Sequence, residues 1–262
     1  MKYLTAVLLS LLLSTNGHAD TTLEYTTAGK PPGNTLTYYV KGNLLRFRDG
    51  AAPRFNLFNA DQQYFISAET ESGTIARIDK RLIDKQVEKL SQQRLARVAE
   101  EEQQLRELVK DMDQQKIDIA ESLINQLKYP EFYGAHTLLK VKPMKQTKTI
   151  NGIACHQYQV TRKEQPVRQF CMASRNDLGL DENDYRTLRS FLHFNYQTQT
   201  RLLIAQAKTS FNHIDYKEQQ IPGIPLEIID YKEQQPVPTL SFKTISDKLL
   251  DASLFENPVA QK

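Results

Sequence analysis

The chain has 262 residues, and its 34 lysines and arginines stand against 31 aspartates and glutamates for a net charge of +3. So small an excess gives no reason to expect nucleic acid or an anionic membrane surface as a partner. The length fits one large domain or two small ones.

The amino terminus reads as an export signal. Met1-Lys2-Tyr3 precedes an apolar run from Leu4 to Leu13, broken only by Thr5 and Ser10, and then Ser-Thr-Asn-Gly-His-Ala. A basic start, a core of about ten apolar residues and small residues at Gly17 and Ala19 describe a secretory signal peptide over 1–19, cut between Ala19 and Asp20. The run is too short to span a bilayer, which takes about 20 residues. No cysteine stands near the cut, so no lipid attachment is expected there. The expectation is an exported protein that does not span a membrane, with residues 20–262 as a single domain. Both cysteines lie in that part, and an even count in an exported chain predicts a disulfide between Cys155 and Cys171. The alternative is a reactive thiol pair, but redox motifs use a Cys-x-x-Cys spacing that is absent here.

From residue 22 to 78 the chain is a succession of short β-rich stretches: TLEYTT, TLTYYVKGN, LLRFRDG, RFNLFNADQ, QYFISAE and GTIARID. Alternating Leu, Tyr, Phe, Val and Thr bounded by Pro, Gly, Asn and Asp predicts an antiparallel meander forming one continuous sheet. Gly42-Asn43 and Asn59-Ala60-Asp61 predict tight hairpins. Because side chains alternate along a strand, Leu45, Phe47, Phe55 and Leu57 are expected opposite Arg46 and Arg54, on an apolar side with the other side wet.

Residues 79 to 128 contain neither Gly nor Pro and are rich in Lys, Arg, Glu, Gln, Leu and Ala. Ile83, Val87 and Leu90, then Leu105, Leu108 and Met112, then Leu123, Ile124 and Leu127 recur at helical spacing. This predicts a long charged helical insertion, one helix or two, whose stripe loses phase between Arg94 and Glu102. Heptads in unbroken phase are lacking, so a solvated helix capping the sheet is favoured over a coiled coil. Strands return over 136–174, with Cys155 and Cys171 on two strands joined at the Glu-Gln-Pro turn. Gln157 and Gln159 share the side of Cys155, which places the disulfide on the more polar face. Asp181 to Phe211 reads as a helix carrying Tyr185, Leu188, Phe191 and Leu192, with Asp181 as its N-cap. Ile221-Pro-Gly-Ile-Pro stops it, and PLEIIDY and VPTLSFKTI are two further strands.

Ile-Asp-Tyr-Lys-Glu-Gln-Gln occurs twice, at 214–220 and 229–235. Structural repeats need about 20 residues of self-similarity each. Outside the seven residues the copies share nothing, so the doubling is read as drift in two connectors.

No catalytic or metal constellation is present. His136, His156, His193 and His213 are scattered without zinc spacing, and there is no Gly-x-Ser-x-Gly elbow or phosphate loop. The chain is read as no enzyme, with no cofactor.

PTLSFKTISDKLLDASLFENP, with its Asp-x-Ser-x-Phe turn, together with GNLLRF, LFNADQQ and the pair NGIACHQYQV and QFCMA, resembles the LolA/LolB-like periplasmic lipoprotein-carrier fold and its disulfide-bearing exported variants in Gram-negative bacteria. The resemblance covers most of residues 22 to 258. It implies an α+β architecture: a curved antiparallel sheet, an incomplete barrel, covered by helices, here with the insertion at 79–128. It also implies a periplasmic location and an apolar ligand such as a lipid or acyl chain in the concave face. Tyr38, Val40, Leu45, Phe47, Phe55, Leu57 and Phe65 are the candidate lining residues, and Arg46 and Arg54 the candidates for the family's arginine. The alternative is a cell-envelope interaction module that captures another envelope protein with the helix 79–127. An apolar segment of another exported protein is a third possible occupant of the concave face.

Overall fold

A computed structural model describes residues 20–28, 34–50, 54–69, 71–133, 139–207 and 221–256. The expected signal peptide, the first copy of the doubled heptapeptide, His136 and His213 lie outside the described residues. The strands are β1 (Thr21–Thr27), β2 (Thr35–Lys41), β3 (Leu44–Asp49), β4 (Arg54–Asn59), β5 (Tyr64–Glu69), β6 (Ile75–Asp79), β7 (Leu139–Ile150), β8 (Ile153–Arg162), β9 (Gln165–Ala173), β10 (Ile224–Lys232) and β11 (Gln235–Ser246). The helices are α1 (Lys80–Val109), α2 (Gln114–Lys128), α3 (Pro130–Tyr133), α4 (Arg175–Leu178) and α5 (Glu182–Ala205), and a 3-10 turn spans Ala252–Phe255.

All eleven strands form one antiparallel sheet in the order β6-β5-β4-β3-β2-β1-β11-β10-β9-β8-β7, which does not close into a barrel. The six strands expected from residues 22–78 are β1 to β6, in sequence order from the middle of the sheet to one edge. Gly42 at φ 58 turns β2 into β3, so that Lys41 faces Leu44. The second heptapeptide copy makes the β10–β11 hairpin: the strand runs to Lys232, one residue past the expected PLEIIDY, and Glu233 and Gln234 turn it at φ 49 and 67. Positive φ at both central residues is the geometry that matches strand twist in a two-residue hairpin.

The charged segment is two helices. Asp79 caps α1 by accepting from the Leu82 amide at 3.0 Å, and Asp113 caps α2 by accepting from the Lys116 amide at 3.1 Å. The break at 110–113 falls later than the lost phase between Arg94 and Glu102 suggested, because capping chemistry at Asp113 sets it rather than the apolar stripe. α1 buries only Ile83, Arg94 and Val98 among its 30 residues. It is tied to α2 by Arg106 to Glu121 at 3.3 Å and Lys128 to Glu102 at 2.5 Å. It is tied to α5 by Arg201 to Asp84 at 2.6 Å and by Arg94 Nη1 donating to the Ile204 carbonyl at 2.9 Å.

Asp181 caps α5 as expected, accepting from the amides of Asn183 and Asp184 at 2.6 and 2.9 Å. Before β10, Gly223 sits at φ 100 with its α-carbon so close to β9 that a Cβ would lie 2.4 Å from the Ala173 carbonyl oxygen. Only glycine satisfies both demands. Buried Arg189 of α5 fixes this approach by donating to the carbonyls of Ile221 and Gly223 at 3.1 and 2.7 Å.

Both faces of the β3–β5 region are covered, which corrects the expectation of one apolar and one wet side. Register places Phe58 opposite Leu45 and Leu57 opposite Arg46. Leu45 and Phe47 therefore share a face with Phe58, while Phe55 and Leu57 lie on the reverse with Arg46. That reverse face packs under Leu250, Leu254 and Phe255 of the carboxy-terminal turn. Arg46 Nη1 donates to the Leu254 carbonyl at 2.8 Å, and its guanidinium lies 5.1 Å from the Phe55 ring centre. Burial pushes the Arg46 pKa below its ordinary value.

Cys155 and Cys171 form the expected disulfide, with Cα atoms 5.3 Å apart. Its expected position on a polar face is corrected: both residues are 1% exposed, in the main buried cluster with Ala173, Leu178 and Leu180. Alternation alone missed this because the cluster around the disulfide draws on distant chain, including Leu23, Leu188 and Leu226. The β7–β8 turn also reaches across to β11, where Asn151 Nδ2 donates to the carbonyls of Phe242 and Lys243 at 2.9 and 3.0 Å. A second tie, Lys148 to Glu227 at 2.6 Å, joins β7 to β10.

Candidate functional site

Five of the seven proposed lining residues meet on one face, and α5 sits on them. Val40 and Leu45 are fully buried, and Tyr38, Phe47 and Phe65 pack against the same cluster. Phe191 of α5 enters its centre, with ring centres 5.8 Å from Tyr38, 5.5 Å from Phe47 and 5.5 Å from Phe58. Phe47 also stacks on Phe65 at 5.6 Å. These side chains fill the space beside β2–β5. Phe55 and Leu57 lie on the other face and line nothing here. Arg54 is exposed, 3.8 Å from Glu69.

Two cavities border α5. A small one of about 270 Å³ lies beneath α5 toward β9–β11, with Tyr25, Phe191, Ile228 and Leu240 as apolar walls and Asn195 and Arg168 among its polar lining. Arg168 is ion-paired with Asp230, its partner across the β9–β10 ladder, so its charge is already balanced.

The larger cleft, about 570 Å³, lies between α1, α2 and the end of α5. Val98, Leu105 and Leu108 of α1, Leu123 and Leu127 of α2 and Ile204 of α5 form its apolar surface. Leu108 and Leu123 are 66% and 49% exposed. Glu101, Glu102, Gln104 and Gln126 contribute polar groups. Hydrogen bonds from Lys128 and Arg106 hold the Glu102 carboxyl below the usual carboxylate range, so it stays charged at neutral pH. The stripe Leu105, Leu108, Leu123, Ile124 and Leu127 is legible in the sequence. That its two halves fold face to face around a gap is not, because the gap depends on the angle set by the break at 110–113.

Among the described residues no cluster of His, Cys, Asp and Glu could hold a metal ion, and no helix is long and apolar enough to cross a membrane. Asp20, the expected first residue after the cut, is buried: its carboxylate accepts from Lys41 Nζ at 2.8 Å and from the Leu250 amide at 2.7 Å. Ala19 lies outside the described residues.

No protein-family model matches the chain, and no curated protein matches it. Among solved structures it is similar to "Structure of PNGF-II in C2 space group", with 11% identity and a TM-score of 0.39 over 90% of this chain and 30% of that one. The chain thus spans less than a third of that structure's length. A likeness of this size carries no argument about function.

Proposed function

We propose that this is an exported, non-catalytic binding protein of the cell envelope, and that its cleft between α1, α2 and α5 receives an apolar segment of another envelope protein. The observation that carries the reading is the pair of leucines, Leu108 and Leu123, held solvent-exposed on the walls of a cleft of about 570 Å³. Exposed apolar walls with a polar rim are what a recognition groove for an amphipathic helix requires. Exposed Glu101 beside it favours a segment with a basic flank, since Glu102 is already paired with Arg106 and Lys128.

A photo-crosslinking residue at Leu108 or Leu123 of the native protein is expected to trap a polypeptide, identifiable by mass spectrometry. The same residue at exposed Gln62, on the β4–β5 turn, serves as background. Equal yields at the three positions would remove the proposal.

A second reading is favoured by the cavity of about 270 Å³ beneath α5. In it, the sheet is a curved, incomplete barrel covered by helices, the chain is a periplasmic relative of the LolA/LolB-like carriers, and an acyl chain occupies this cavity. Lipid recovered from the purified native protein, lost on Leu240→Trp, would support it over the first.

A further inference from the structure

We infer that cleavage before Asp20 builds part of the folded state: the α-ammonium it creates on Asp20 pairs with the buried carboxylate of Asp184 and seats α5 on the first strand. This rests on the export reading above, specifically on a cut between Ala19 and Asp20.

Asp184, in the first turn of α5, is 2% exposed, and its Oδ2 has no hydrogen-bond partner among the described residues. Its other contacts are the Thr21 hydroxyl on β1 and the Gly42 backbone amide at the β2–β3 turn. The adjacent Thr187 hydroxyl donates to the Gly42 carbonyl at 2.6 Å, so the start of α5 is docked on that turn. The charged groups nearby compound the problem. Asp20 and Asp181 are acidic, and Lys41, the cation that Asp20 holds, is already engaged by the Asp20 carboxylate and the Leu250 carbonyl at 2.8 and 2.9 Å. With residue 19 still joined, burial pushes the Asp184 carboxyl up to about 6, with the two acidic neighbours adding to the effect. A buried carboxylate with an unused oxygen and no counter-ion is costly.

The residue before Thr21 can supply the missing cation. Thr21, which bonds Asp184, follows Asp20 in the chain, and consecutive α-carbons are about 3.8 Å apart. Thr21 pairs with Val40 across β1 and β2, so the Asp20 backbone continues the ladder toward Lys41 and Gly42, whose amide donates to Asp184. Hydrolysis of the Ala19–Asp20 bond by an export endopeptidase consumes one water, leaves a carboxylate on Ala19 and frees an amine on Asp20. That amine takes up a proton at neutral pH. A single neutral N–H thereby becomes a charged donor of three hydrogens beside the unpaired Oδ2.

The test uses the processed, exported protein. Its amino terminus is first determined, and the α-amine is then labelled with trace acetic anhydride at pH 7. Pairing is expected to lower the labelling rate about tenfold, the effect of one unit of raised amine pKa. The reference is the same protein with one alanine inserted between Ala19 and Asp20, which moves the amine out of register. Asp184→Asn is expected to restore the rate and to abolish the difference in melting temperature between the two termini. If that variant does not fold, the comparison of native and alanine-extended proteins decides alone. Asp20 at the terminus with full reactivity overturns the pairing, whereas a terminus elsewhere overturns the assumed cut and the pairing with it.

Discussion

Replacing Phe191 by alanine is expected to destabilise the protein by about 3–5 kcal/mol, the range for deleting a buried aromatic ring. The upper part of that range applies because the site cannot collapse. Phe191 is 7% exposed and meets Tyr38, Phe47 and Phe58, which are held by the paired strands β2, β3 and β4. Ladder hydrogen bonds resist the movement that would fill the hole. Phe194, one turn on, has among the described residues a ring contact with Phe58 alone, at 5.3 Å, and its truncation is expected to cost less. Urea titration measures both: the midpoint should fall with an unchanged slope. A loss below about 1 kcal/mol for Phe191→Ala would mean that α5 does not rest on the sheet as described.

Removing the disulfide with the double substitution Cys155→Ala and Cys171→Ala is expected to cost about 3 kcal/mol from chain entropy alone, for a loop closed by residues 16 apart. Two further effects act at the site. Both residues are 1% exposed, so substitution leaves a space in the core beside Leu178 and Leu180. The neighbouring ties, Asn151 to β11 and Lys148 to Glu227, lose a fixed point. Thermal unfolding of the double variant should show the loss in full. Native protein should also react slowly with a reductant until it unfolds, since neither sulfur is accessible. Rapid reduction under native conditions, or a cost near zero, would contradict the buried position.

The strands were legible because their signals are local. Each stretch from TLEYTT to GTIARID alternates over five to seven residues between turn-forming residues, and each became a strand of the meander. Asp181 was equally readable as a cap, because a cap is decided within three residues. What failed was whatever depended on pairing register or on distant chain. Phe55 and Leu57 were expected beside Leu45 and Phe47, yet register sets Leu57 against Arg46, and alternation within one strand says nothing of the offset to the next. The polar look of Gln157 and Gln159 misplaced the disulfide, because the residues that share its buried cluster, such as Leu23 and Leu226, are distant in sequence. Asp251 accepts from the Ser253 amide at 2.9 Å and starts the turn anticipated from Asp-x-Ser-x-Phe. That Phe255 and Leu254 roof a second apolar layer needed the three-dimensional arrangement. The cleft was half visible: its leucines stand out, but the space between them is a property of two helices rather than of either.

The pairing of β1 with β11, Thr22 facing Ser246 and Leu23 facing Ile245, sets the timetable of folding. The first strand to leave the ribosome has its inner neighbour in nearly the last, so the two meanders can each assemble early, but their strands pair with one another along this late seam. Until then both carry unpaired backbone that another chain could capture. Closing a loop of more than 200 residues makes the step slow as well as late. A carboxy-terminal truncation that removes β11 therefore leaves two half-sheets, each with an open flank, and aggregation rather than a smaller stable fold is its outcome.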